Sequence, residues 1–175
     1  MRRLALACLP LIALAVPATA AALATGSSTT DGTLVVQNGA APRGLAVIKL
    51  GVVGTAIGHV STGSPDQLDT VVIYDQNNTN NVAAAAANGA YLTKTTPGDQ
   101  KTKLVGSDFR FRAADGAYTI WIYGSGVDVF AVGAGKVTLQ GLPDSSTDGR
   151  YSLDGGPWHS LPAVPSDLLT FPIGG

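Results

Sequence analysis

The chain has 175 residues, 11 Lys and Arg against 12 acids, and a formal net charge of −1. That balance speaks against nucleic-acid binding, which demands a strongly basic patch. All 12 acids are aspartate, so any paired-carboxylate mechanism has to be built from two short side chains that often serve turns instead.

Met1, Arg2 and Arg3 make a short basic start, and Leu4 to Val16 is an apolar run broken only by Pro10. It is too short to span a bilayer and reads as a secretory signal. Two A-x-A sites follow, Ala18-Thr19-Ala20 and Ala22-Leu23-Ala24, giving cleavage after Ala24, with Ala20 as the alternative. The expected location is therefore secreted or extracytoplasmic, by the Sec route, with no membrane span left after signal removal. The leader carries away Cys8, the chain's one cysteine, so the mature chain can form no disulfide, thiolate metal site or cysteine nucleophile. Loss of Arg2 and Arg3 leaves nine basic residues against 12 acids, a mature net charge of −3.

Residues 25–32 are small, polar and aperiodic and form a flexible lead-in. Residues 33–175 read as a single β domain. Short runs rich in Val, Ile, Thr and aromatics, separated by Gly and Asn clusters, place strands at Thr33–Gln37, Leu45–Leu50, Ala56–Val60 and Thr70–Asp75. The five alanines Ala83 to Ala87 are far below the ~12–15 residues an isolated helix needs, and read as a loop or weak strand. Further strands are expected at Leu104–Ala113, Ala117–Tyr123, Val127–Val132, Lys136–Gln140 and Tyr151–Leu153.

The most informative stretch is Asp108 to Gln140. A two-residue turn at Asp115-Gly116 would set Phe111 opposite Ile120 and Phe109 opposite Ile122, an entirely apolar face. The other face would pair Arg112 with Thr119 and Arg110 with Trp121. A turn at Ser125-Gly126 would then bring Phe130 beside Trp121. A third turn, Gly133-Ala134-Gly135, sends Val137 and Leu139 to the Ile/Phe face if it has three residues. GLAVIKLG from Gly44 is echoed by GAYTIWIYG from Gly116, which would suit two related halves of a sandwich. The fold class is thus all-β, an antiparallel β-sandwich or open barrel, with a short β-solenoid as the competitor. The tail from Gly155 has Pro157, Pro162, Pro165 and Pro172 and reads as a strap over the sheet, anchored by Trp158, Leu161 and Phe171.

The segments GTLVVQNG, RFRAADGAYTIWIYGSGVDVFAVGAGKVTLQG and YSLDGGPWHSLP resemble a group of exported β-rich proteins of actinobacterial type. The resemblance implies export and an all-β fold. It transfers no functional residue, since the group carries no established activity.

Three constellations deserve weighing. Trp121, Tyr123 and Phe130 on one strand face, with Arg110 and Arg112 beside them, make a tentative ligand face that would stack sugar rings and bond their hydroxyls. The alternative is that a second sheet or the tail covers this face. Asp75-Gln76-Asn77-Asn78-Thr79-Asn80-Asn81 offers alternate oxygens, but Asn80 stands where a calcium loop needs glycine and Ala86 where it needs glutamate; a polar turn is the expectation. His59 and His159 are too few for a three-histidine metal site, and no G-x-S-x-G elbow marks a Ser-His-Asp triad. No catalytic, cofactor-binding or metal residue is assigned. The reading is a non-enzymatic exported or envelope-associated β domain of structural or interaction role, its partner a glycan or envelope component. The alternatives are a carbohydrate-binding module using the Trp121 face and a small Asp-based hydrolase or lyase.

Overall fold

The computed structural model describes residues 31–37, 46–64, 66–87, 90–96, 100–141, 149–162 and 168–174. The expected leader, both expected cleavage sites and most of the expected lead-in lie outside these residues. Within them the protein is all-β: eleven strands in one antiparallel sheet, not closed into a barrel. The strands are β1 (Gly32–Gln37), β2 (Ala46–Ser61), β3 (Asp69–Asp75), β4 (Val82–Ala86), β5 (Leu92–Thr95), β6 (Lys101–Gly106), β7 (Asp108–Gly124), β8 (Val127–Gly141), β9 (Arg150–Leu153), β10 (His159–Ser160) and β11 (Leu169–Ile173). The alanine run is strand β4, and β5 is a strand the sequence did not reveal.

The main correction concerns the middle of the chain. Asp115-Gly116 is not a hairpin turn; β7 runs straight through it for 17 residues. Phe109, Phe111 and Ala113 are buried at odd positions, whereas Tyr118, Ile120 and Ile122 are buried at even ones. What changes the parity is a β-bulge: Gly54 faces Gly116 and Ala56 faces Ala113, so Ala114 and Asp115 together oppose Thr55. Asp115 adopts φ +53°. Its backbone N–H donates to the Thr55 hydroxyl at 3.2 Å, and the Tyr118 hydroxyl donates to the Ala114 carbonyl at 2.7 Å. The predicted burial of Phe109, Phe111, Ile120 and Ile122 holds, but their cross-strand pairing does not. Instead, Phe111 faces Gly58 and Ile120 faces Leu50.

Gly133-Ala134-Gly135 is likewise no turn, but the centre of β8. Val137 and Leu139 do reach the core, because an uninterrupted strand keeps them in phase with Val129 and Ala131. The expected strands at Leu45–Leu50 and Ala56–Val60 are one strand as well. The GLAVIKLG echo marks neighbours: β2 residues 46–53 pair directly with β7 residues 117–124.

These three long strands fold over. The last residue of β7, Gly124, faces Ala46, while the first of β8, Val127, faces Val60. The fourteen residue steps from 46 to 60 would span roughly 46 Å in a straight strand. Ser125 and Gly126 alone bridge that gap, and three Cα steps reach about 11 Å at most. So β2 doubles back until its ends meet, and the Ser61 N–H donates to the Gly126 carbonyl at 3.3 Å. The crease is a row of glycines, one from each long strand: Gly116, Gly54 and Gly133. A Cβ on Gly54 would stand 2.1 Å from the Val132 carbonyl oxygen, and one on Gly133 would stand 2.1 Å from that of Val53.

The crease divides the sheet into two facing layers, strands switching layer at bends as in orthogonal sandwiches. One layer joins β10, β9, β1, the first half of β8, the second half of β2, the first half of β7 and β4. The other joins β11 and the remaining halves of β8, β2 and β7 to β3, β6 and β5. Between them lies one continuous apolar core, including Leu34, Leu50, Ile73, Leu104, Phe109, Ile120 and Leu139, all fully buried. All pairings are antiparallel, which is not the geometry of a solenoid. The tail extends the sheet edge instead of lying across it. Its β11 pairs with β8, Phe171 stacks on Tyr151 at 5.1 Å, and Leu161 is buried. Trp158 is 46% exposed, with the Arg150 guanidinium 4.3 Å above its ring.

Candidate functional site

Alternation sends every second side chain of the layers outward, and the crease divides the predicted ligand face in two. Arg110, Arg112 and Phe130 look out from the β4/β1 layer, whereas Trp121 and Tyr123 look out from the β3/β11 layer. Arg110 faces His59 and Ala85, not Trp121; Phe130 faces Ile57 and Val35, not Trp121. The five residues therefore form no single platform.

The Trp121 half survives as a surface in its own right. Trp121 stands between Lys49 on β2 and Val72 on β3. Tyr123 follows two residues along, and Tyr74 sits diagonally across on β3, about 7–8 Å away by strand geometry. Tyr123 is 50% exposed and Tyr74 40%. Among the described residues, neither a second sheet nor the tail covers them. The Lys49 ammonium lies 5.7 Å from the centre of the Trp121 ring, within cation–π reach. The Tyr74 hydroxyl donates to Gln100 Oε1 at 2.7 Å. Val72, Tyr74, Lys101, Trp121 and Tyr123 line an open depression of about 420 Å³, within the size range of small-ligand sites.

The opposite face has a depression of about 460 Å³ between Phe130, Ile57, His59, Arg110 and Asp128. Here His59 Nε2 meets Asp108 Oδ1 at 2.7 Å, both side chains about one-third exposed. A carboxylate so placed orients an imidazole. Among the described residues, no hydroxyl is hydrogen-bonded to the ring to serve as nucleophile. The other histidine, His159, stacks on Tyr151 at 5.3 Å.

Asp75 explains the asparagine-rich loop. Its buried carboxylate accepts from the backbone N–H groups of Asn77 (3.2 Å) and Asn80 (3.0 Å) and from the Thr79 hydroxyl (2.9 Å). With Asn78 and Asn80 at positive φ, this is a polar turn closed by its own first side chain. Asp69 is a second buried carboxylate. Burial pushes it up to about 6, against the lowering effect of the Ser125 N–H that it accepts at 3.2 Å.

No protein-family model, curated protein or solved structure matches the chain. The likeness to exported β-rich proteins thus rests on the sequence segments alone. Sequence reasoning missed Tyr74, Lys49 and Lys101 as members of the Trp121 surface. Their outward alternation was visible in the sequence, but which strands flank β7 was not.

Proposed function

We propose that the protein is an exported, non-enzymatic binding domain that recognises glycans through the outer face around Trp121. The observation that carries the reading is the outer-face cluster of Trp121, Tyr123 and Tyr74, the two tyrosines exposed and the indole half-buried, flanked by polar groups. Aromatic rings on a rigid sheet present flat apolar area at little entropic cost, and the apolar faces of sugar rings stack on such surfaces. The leader, with its basic start, short apolar run and two A-x-A sites, supports export to where such glycans are found.

The test is retention on a glycan array spanning neutral and acidic polysaccharides. Trp121→Ala should abolish retention while leaving the thermal midpoint nearly unchanged, because the indole lies outside the core. Absence of binding by the unaltered protein, or equal binding by the variant, refutes the reading. A second reading is hydrolysis or lysis at the opposite face, and it has the close His59–Asp108 contact in its favour. Polysaccharide turnover that disappears in Asp108→Asn would establish it.

A further inference from the structure

The Trp121 face has a charge pattern that composition does not require. The chain has five lysines, and four of them, Lys49, Lys101, Lys103 and Lys136, are exposed on this one face. The register fixes their layout. Lys49, Trp121, Val72 and Lys103 form one row across four strands, and Lys136, Gly51, Thr119, Tyr74 and Lys101 form the next. At about 4.8 Å per strand, Lys49 and Lys103 are roughly 14 Å apart and Lys136 and Lys101 roughly 19 Å, with the aromatic rings between them.

The carboxylates of the long strands and of β3 lie away from that face. Asp69 and Asp75 are buried, Asp108 and Asp128 belong to the opposite layer, and Asp115 sits at the crease. The His59–Asp108 ion pair belongs to the opposite layer. In a mature chain of net charge −3 this segregation makes the face a local positive field that attracts anions.

Gly51 points to the same surface. Interior strand glycines destabilise a strand relative to alanine. Here nothing in the fold demands one, since an added Cβ would meet only the Lys136 carbonyl oxygen at 3.7 Å, an ordinary contact. Its effect is to leave the floor between Lys49 and Lys136 bare, as at sites where a ligand approaches a strand closely.

We propose that this face binds an acidic polysaccharide of uronic-acid type, its rings stacked on Trp121, Tyr123 and Tyr74 and its carboxylates held by Lys49, Lys101, Lys103 and Lys136. The proposal rests on the reading of the face as a glycan platform and adds the charge of the glycan. Spread lysines suit a polymer with one charge per ring. A single phosphate would call for convergent donors, with arginine favoured among them, and the described arginines face elsewhere.

Affinity electrophoresis of the purified protein tests it, using polygalacturonate, the same polymer after carboxyl reduction, and single-stranded poly(dT). Polygalacturonate should bind at least about tenfold more tightly than the reduced polymer and weaken as salt rises, because exposed charge pairs are screened. Lys101→Glu/Lys103→Glu should lose that preference with its unfolding midpoint unchanged. Gly51→Thr should bind less while remaining as stable as the unaltered protein. Equal binding of the charged and reduced polymers, or unchanged preference in the double variant, overturns the proposal but leaves the platform standing. Binding of neither polymer removes the platform too, and preference for poly(dT), whose bases also stack on aromatic side chains, replaces the glycan with a nucleic acid.

Discussion

Deleting Asp115 removes one residue from the bulge and leaves its strand otherwise intact. Alternation then cannot keep both halves of β7 in phase. If Tyr118, Ile120 and Ile122 stay inside, Phe109, Phe111 and Ala113 turn to solvent and Arg110 and Arg112 turn inward. Both phenylalanines are at most 2% exposed, and each is worth about 1.5–3 kcal/mol in burial. The two together cost about 3–6 kcal/mol, and an unpaired buried arginine adds several more. That sum rivals the ~5–15 kcal/mol net stability of an ordinary domain, so the deletion variant should be unfolded in buffer. Urea titration followed by circular dichroism and tryptophan fluorescence reads this directly. Asp115→Gly is the control: glycine relieves the positive φ and keeps the backbone N–H bond to Thr55, losing only the bond that the Thr55 hydroxyl donates to the Asp115 carboxylate at 3.3 Å, so its stability should stay within about 1 kcal/mol of the parent. A deletion variant that unfolds within about 1 kcal/mol of the parent would refute the parity argument, because the burial it relocates is far larger.

Gly133→Ala should destabilise by more than about 3 kcal/mol in the same titration, since its Cβ would meet the Val53 carbonyl oxygen at 2.1 Å and its φ is +142°. Asp69 gives a pH signature. Its folded value of about 6 exceeds the unfolded value near 3.9, so its contribution is most favourable below about pH 4 and is lost as pH rises towards 6, by up to about 3 kcal/mol. Asp69→Asn should therefore be stabilised relative to the parent at pH 7 and nearly equal to it at pH 4. Parallel stability profiles for the two proteins from pH 4 to 7 would exclude this role.

Much of the fold was legible because burial obeys local alternation. Phe109, Phe111, Ile120, Ile122, Val137 and Leu139 were all expected inside, and all are. The device that inverts phase at 113–116 was not legible, for a physical reason. A two-residue hairpin and a one-residue bulge restore the same alternation, and both use Asp-Gly with positive φ. Deciding between them takes knowledge of a partner: β2 matches β7 in length and carries Gly54 where the crease must pass. The glycines around 133 misled for the same reason, signalling close backbone approach where a turn was read. At the candidate site, Trp121 and Tyr123 were found by type and spacing. Their separation from Arg110, Arg112 and Phe130 followed from the crease, and Lys49, Lys101, Lys103 and Lys136 came from three other strands, 15 to 72 residues from Trp121 in sequence.

The position of β2 dictates the order in which this molecule can assemble. Its two neighbours, β7 and β8, end at residues 124 and 141, so during synthesis the central strand waits without a partner until most of the chain has emerged. Non-local pairing of this kind folds slowly. The nascent protein therefore stays open and threadable for most of its synthesis, a state that the proposed export through a narrow channel would require, with the centre zipping shut only after the last long strand arrives.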